Sequence, residues 1–428
     1  MSNPLEHSQH AHANMEESLL TSLQKLSNAS KDRNDIHQTP LVENMHSQCD
    51  PQFFRLTIEE DRKRLCQLLS SQSIQFVHDT IHSQLQELVQ IENPSHTLTP
   101  QELSHYITLK LQSCPNLESY GVWVYYPWKK TLCHILDSEE FFQVRTIRNA
   151  FKISPQEQLT LREKKIGVVG LSVGNAVATT LAMERVCGEV RLADFDRLEL
   201  TNMNRVRSSL TEIGVPKVII AKRAIVEMDP FMKVVIYPEG ITMENIHEFI
   251  GSGHDQLNLV VDECDSFDIK LLLRKECKKL KIPIVMECSD RGCLDVERYD
   301  TDPNYPILHG KISQELLSAL SNDLTPEQKV KLMAQFLEPS KASDKALESY
   351  LEIGKSITSW PQLASEVTLG GAVVTSAARM IFLNQGIRSQ RKYVDVNSVI
   401  NPPPFSLLRK YRRAKLLGKC IKKAFSKK

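Results

Sequence analysis

The sequence has no apolar run approaching the roughly 20 residues that cross a bilayer. Its longest, such as 218–220 and 257–261, are no more than strand-sized, which excludes a transmembrane helix. It has no Cys-x-x-Cys pair: the ten cysteines are scattered at 49, 66, 114, 133, 187, 264, 277, 288, 293 and 420. Reduced thiols are therefore the expectation, without a zinc site or a disulfide framework. No G-x-x-x-x-G-K-[ST] is present, which disfavours a P-loop kinase or ATPase. The first residues lack the basic start and apolar core of a secretory leader, so the expected compartment is the cytoplasm. Aromatic residues are missing from 1–50, which is polar and carries five histidines; this stretch reads as a disordered arm.

What the chain does have is 428 residues, 41% hydrophobic and 25% charged, an ordinary globular composition for two or three domains. The net charge of +1 conceals an asymmetry. Residues 409–428 hold ten Lys or Arg and no acid, so the remainder carries 43 basic against 52 acidic residues. The body is acidic and the tail, 401–428, is a basic amphipathic segment. Its stripe of Leu408, Tyr411, Ala414, Leu417, Ile421 and Phe425 repeats every three or four residues. That pattern suits docking on the acidic body, on an anionic membrane surface or partner, or on nucleic acid.

Along 51–150 the periodicity predicts helices over 57–91, a capped helix from Thr99, and a strand pair at 120–126 and 131–136. This is an α+β N-terminal region, with Trp123, Tyr125, Tyr126 and Trp128 read as strand packing. From 151 to 310 short apolar strands (166–169, 190–193, 234–237, 257–261, 282–286) alternate with helices (from 174, 216–228, 266–280). This alternation predicts an α/β fold, a doubly wound Rossmann-like parallel sheet covered on both faces. Residues 311–400 form a helical C-terminal part, with helices expected over 315–320, 326–336, 344–353 and 363–383. Gly370 and Gly371, inside the last of these, would permit close backbone packing.

The densest chemical signal is Lys165-Ile-Gly-Val-Val-Gly170-Leu-Ser172-Val-Gly174: a strand, a small-residue turn and a helix start, suited to phosphate oxygens. Ser172 replaces the second glycine of the dinucleotide fingerprint and Asn175 the third. The next strand ends at Asp194, placed to hold ribose hydroxyls. A nicotinamide enzyme, the competing oxidoreductase reading, accounts for that much. It has no use for Asn202-Met-Asn-Arg205, Lys217 or the acidic loop Asp262-Glu-Cys-Asp265, which supply cations for a triphosphate and a carboxylate for Mg2+.

With these residues the chain resembles the ThiF/MoeB family, bacterial relatives of ubiquitin-activating enzymes. The family's ribose aspartate falls on Asp194, its Asn-x-x-Arg on Asn202 and Arg205, its helix-start lysine on Lys217 and its magnesium aspartate on Asp265. Gly170, Ser172 and Gly174 occupy the phosphate turn, and Arg148, in Arg145-Thr-Ile-Arg148-Asn149, matches an arginine that in many members comes from the other subunit of a dimer. The stretches 123–128 and 289–292 are similar to those of a subset of bacterial ThiF-like proteins. The resemblance implies a ThiF-type nucleotide-binding domain over 151–310, completed by 311–400. It implies ATP and Mg2+, adenylation of a carboxylate on a ubiquitin-like carrier protein or a peptide, and a homodimer. A non-catalytic nucleotide-binding scaffold is the other member of that superfamily to weigh. Cys288 and Cys293, after the fifth strand, could accept the acyl group as a thioester.

Overall fold

The computed structural model describes residues 48–112, 114–312, 338–402 and 406–425. Most of the arm expected over 1–50, and both helices expected between 315 and 336, lie outside the described residues. The chain divides into two compact units, 1–155 with 226–231, and 156–225 with 232–428.

In the first unit, β1 (Gln52–Phe54), β2 (Phe76–Asp79), β3 (Val122–Tyr126) and β4 (Thr131–Ile135) make a sheet of order β1-β3-β4-β2. Helices α1 (Glu59–Ser70), α2 (Ile81–Glu92), α3 (Pro100–Leu111) and α4 (Ser138–Thr146) accompany it. The strand pair expected from the aromatic segment forms, and all five side chains of β3 are buried. Trp123 stacks on the buried His134 at 4.1 Å between ring centroids, so these aromatics pack rather than form a binding face. Strand β2 interrupts the span 57–91 that periodicity alone reads as helical, and β1 precedes it without being expected. Each has a single buried side chain, Phe54 and Val77, too little alternation to register as a strand pattern. The start of α3 is the capping box that Thr99-Pro-Gln-Glu102 predicts.

The second unit holds α5 (Pro155–Arg162, whose first residue belongs to the other unit) and a seven-stranded sheet, order β11-β10-β9-β8-β5-β6-β7. Strands β5 (Lys165–Val169), β6 (Glu189–Ala193), β7 (Lys233–Tyr237), β8 (Leu259–Asp262) and β9 (Ile284–Cys288) are parallel. Helices α6 (Gly174–Glu184), α7 (Lys217–Met228), α8 (Ile246–Ile250) and α9 (Phe267–Leu280) connect them. The chain winds outward from β5 to β7, then crosses back to β8, so β5 and β8 flank the switch point where open α/β sheets bind ligands.

The sheet is not wholly parallel, as expected from sequence: β10 (Cys293–Glu297) and β11 (Gln390–Tyr393) add to it antiparallel. Both escape a hydrophobic pattern for a physical reason. β10 buries Asp295 and Glu297 at 1% exposure each, against His309 and Arg391 for the first and Arg274 for the second, and β11 is a polar edge strand.

The C-terminal part supplies α10 (Asp344–Glu352), α11 (Ala364–Phe382), α12 (Val396–Ile400) and α13 (Leu407–Phe425). Gly370 and Gly371 do permit close approach. A Cβ on Gly371 would stand 2.8 Å from the Ala176 carbonyl oxygen of α6, and one on Gly370 2.5 Å from Glu287 Oε2. The basic tail forms α13 and docks on α10. Arg413 pairs with Asp344 and donates to the Ser340 and Ala342 carbonyls, the Cys420 thiol donates to Leu347 O, and Lys423 donates to the Tyr350, Leu351 and Ile353 carbonyls. Those last carbonyls lie at the C-terminal end of α10, where a cation is favoured. Of the apolar stripe read from the sequence Leu417 is half-buried, while Leu408, Tyr411, Ala414 and Ile421 are exposed.

Candidate active site

The site grows from the β5 turn. Gly170 takes φ +87°, and a Cβ there would fall 2.5 Å from the Glu263 carbonyl oxygen and 2.8 Å from Cys264 N. Only glycine fits, because the conformation is left-handed and the backbone of the acidic loop lies against it. Gly174 starts α6 with its α-carbon against Val168 and Glu263, so the helix N-terminus and its dipole sit directly after the turn.

Asp194, one residue past β6, reaches across to this turn. Its Oδ2 accepts the Leu171 N–H at 2.5 Å and its Oδ1 accepts the Asp196 N–H at 2.7 Å. Burial raises its pKa, opposed by those two N–H donors and by Lys217. Each oxygen keeps a further lone pair for a hydroxyl donor. Lys217, the first residue of α7 and buried, extends Nζ to Asp196 Oδ2 at 2.8 Å. Asp196 is the partner that sequence reading passes over, although it stands only two residues from Asp194.

Arg205 sits on the same edge. Its Nε and Nη2 donate to the Ser172 hydroxyl at 3.1 and 2.9 Å, and its Nη1 to Thr201 O and Asn204 Oδ1. Burial lowers the pKa of its guanidinium, and the neighbouring Asp265 carboxylate opposes that. The structure thus brings together Gly170, Ser172, Gly174, Asp194, Arg205, Lys217 and Asp265. Asn202 is buried, and its Oδ1 accepts the Glu199 N–H at 3.1 Å, so it shapes the turn that carries Arg205. Arg148 is an exposed residue of the turn 147–149 and belongs to the first unit.

The acidic loop is less uniform than its sequence suggests. Asp262 points into the core, with its Oδ1 to Lys270 Nζ at 3.1 Å and its Oδ2 to Arg274 Nη1 at 2.5 Å. Burial pushes its pKa up, but the two cations prevail and hold it at about 2. Arg274, itself wholly buried, continues to Glu297 at 2.6 Å. Glu263 is buried, its Oε1 accepting the Glu287 N–H at 3.0 Å. Only Asp265 is left exposed. Among the described residues no group of three or more acidic, His or Cys side chains could form an all-protein metal site. A single exposed carboxylate beside a phosphate-binding turn fits Mg2+, which takes one or two carboxylates together with nucleotide phosphates and water.

Cys288 and Cys293 stand opposite each other across β9 and β10. A hydrogen bond from Cys288 to Cys293, together with burial, pushes the Cys288 thiol well up. The same bond holds Cys293 down, at a residue only 5% exposed. Cys264 is raised by burial and by Asp262. None of the three is both exposed and activated in the manner of a catalytic thiol.

Comparison with known proteins agrees with this geometry. Residues 145–290 match the ThiF family. An uncharacterised Mycobacterium tuberculosis protein, MT1398, is 40% identical over 67% of this chain, and the match spans 39% of that protein's length. The sulfur carrier protein adenylyltransferase of Thermus thermophilus is 28% identical, covering 38% of this chain and 57% of that protein. The tRNA threonylcarbamoyladenosine dehydratase of Bacillus subtilis is 30% identical over 39% of this chain and 68% of that protein. With the glycine turn, its aspartate and its cations set along one edge of a doubly wound sheet, the chain belongs to the ThiF family.

Proposed function

We propose that the chain is an ATP-dependent adenylyltransferase that activates a substrate carboxylate as an acyl adenylate. A carboxylate oxygen bonds to the α-phosphorus as the bond from that phosphorus to the bridging oxygen of the β-phosphate breaks, and pyrophosphate leaves with the electron pair. The observation that carries this reading is the gathering of Arg205, Lys217 and Asp265 around the Gly170 turn. A nicotinamide site would have no use for that set.

Both reactants are anionic, so the chain's task is positioning and charge stabilisation. The Gly170 turn and the N-terminus of α6 cradle phosphates, and Asp194 fixes the ribose through its remaining lone pairs. Arg205 and Lys217 stabilise charge on the phosphates. Their present acceptors, the Ser172 hydroxyl and Asp196, are groups that phosphate oxygens can replace or share. Mg2+, held by Asp265, supplies further neutralisation of the triphosphate when bound. Arg148 contributes from the other subunit of a homodimer. The substrate is a carboxylate on a ubiquitin-like carrier protein or a peptide, a reading supported by the sulfur carrier protein adenylyltransferase among the relatives.

Incubation with ATP labelled in the adenine, followed by mass spectrometry of lysate proteins and peptides, tests the proposal. AMP-conjugated carboxylates, lost in Arg205→Ala, support it. ATP binding with no conjugate and no pyrophosphate exchange would leave a nucleotide-binding scaffold, and preferential binding of a nicotinamide cofactor would leave an oxidoreductase.

A further inference from the structure

Among the described residues, the side-chain hydrogen bonds that hold helix α13 to the body come from one of its faces. Arg413, Leu416, Leu417, Cys420 and Lys423 lie toward α10, half-buried or buried. Rotation by about 100° per residue places Leu407, Leu408 and Tyr411 on the opposite side and Ile421 at its edge. Their exposures are 74%, 58%, 68% and 55%. Just upstream, Val399 and Ile400 are 80% and 76% exposed. Large apolar side chains left outward along one short stretch are a feature that solvation alone does not account for. The same outward side carries the exposed cations Lys415, Lys419 and Lys422, with the exposed Arg412 at the margin of the docked face, and the helix has no acidic residue.

We propose that this outward face of α13 is a membrane-surface contact that seats on bilayers containing anionic lipids. Apolar side chains of the first turns enter the boundary between headgroups and acyl chains while the lysines that follow on the same face pair with lipid phosphates and carboxylates. The charge complementarity favours an anionic surface, and the apolar residues separate a bilayer from a nucleic acid, whose backbone gives Leu and Ile nothing to bury against. Docking on α10 and docking on a membrane are therefore compatible, because they use opposite faces of one helix. The hydrogen bonds of Arg413 and Lys423 to backbone carbonyls fix which face is offered, so the membrane receives a rigid helix anchored to its domain rather than a loose tail. This inference is independent of the adenylation reading.

The test is co-flotation of the full chain with vesicles of phosphatidylcholine alone and of phosphatidylcholine containing about one third phosphatidylserine, at low and at physiological salt. The expected result is binding to the phosphatidylserine vesicles only, weakened by salt. Lys415→Gln and Lys419→Gln should each weaken it about fivefold. Leu408→Glu with Tyr411→Glu should remove it while the circular dichroism spectrum is unchanged. Lys423→Met, on the docked face, separates loss of the helix from loss of its outward surface: a chain that keeps its helix should still float. Absence of flotation, or equal flotation with neutral vesicles, would overturn the proposal. So would salt-sensitive binding to a single-stranded RNA oligonucleotide that survives Leu408→Glu with Tyr411→Glu, in a chain that does not float.

Discussion

Arg205 and Ser172 are joined by two hydrogen bonds, with Nε and Nη2 both donating to one hydroxyl at 3.1 and 2.9 Å. The serine that stands where a dinucleotide fingerprint has its second glycine is therefore the group that holds the site's arginine against the phosphate turn. A glycine there would let the backbone approach a pyrophosphate more closely and would leave the guanidinium held by its Nη1 alone, at Thr201 O and Asn204 Oδ1. Ser172→Ala should weaken ATP binding about tenfold, the scale of one hydrogen bond to a charged group. Arg205→Ala should lower AMP-conjugate formation at least about a hundredfold. Calorimetry with ATP and the conjugate assay measure the two effects, and a Ser172→Ala protein with unchanged affinity would show that the pair has no part in nucleotide binding.

Asp262 and Asp265 are three residues apart in one acidic loop and should respond in opposite ways to the same substitution. Asp262 is fully buried between Lys270 and Arg274. Removing its charge leaves the buried Lys270 without its carboxylate and Arg274 with Glu297 alone, a loss of about 3–5 kcal/mol. Asp265→Asn touches an exposed side chain and should leave the urea midpoint within error while abolishing conjugate formation. The decisive pattern is stability lost with Asp262→Asn and chemistry lost with Asp265→Asn. Equal destabilisation by both would refute the division.

Those two aspartates also show how far the sequence can be read. Strand β5, the Gly170 turn and α6 are legible because apolar periodicity and small residues coincide there, and Asp194, Arg205 and Lys217 follow at spacings that place them on one edge. The orientation of Asp262 is not legible, since its cationic partners lie 8 and 12 residues on, within a helix whose charges read as solvated. Strand β10 is hidden for a related reason: Asp295 and Glu297 break the apolar pattern of a buried strand, and only tertiary neighbours, Arg391 and Arg274, make their burial tolerable. The tail is legible only in part. Its regular stripe leaves the acidic body, an anionic surface and nucleic acid all open, and the hydrogen bonds that dock it come from Arg413 and Lys423 reaching backbone carbonyls, a use of cations that hydropathy does not register.

The dimer reading makes a prediction of its own. If Arg148 reaches a neighbouring subunit's nucleotide, Arg148→Ala and Asp265→Asn proteins should each be inactive alone. Mixed at equal amounts after subunit exchange, they should recover about one quarter of wild-type activity per site, because half of the dimers are mixed and each of these has one intact site. Recovery of nothing, or a monomeric mass by light scattering in a fully active sample, would place the arginine's role within its own chain.

Glu287 gives the fold a pH dependence of definite sign. Both of its carboxyl oxygens are buried without a hydrogen-bond partner among the described residues, beside the α-carbon of Gly370. Burial, with the nearby Cys288 and Glu366, raises its pKa from 4.5 to about 9. Glu263 is also raised well above its ordinary value, by burial and by Glu287, with Lys270 opposing. A carboxyl that holds its proton more tightly in the folded than in the unfolded chain contributes fully below the unfolded pKa of 4.5, and that contribution is lost as pH rises through about 9. The urea midpoint of the wild-type chain should therefore fall across this window. Glu287→Gln keeps the shape and cannot ionise, so its midpoint should fall less steeply, retaining only the slope contributed by Glu263 and other groups. Denaturation of both proteins at pH values spaced between about 5 and 9 measures the difference. Parallel profiles would mean that Glu287 finds water or another partner that stabilises its anion, and that the buried carboxyl is not proton-bound in the native state.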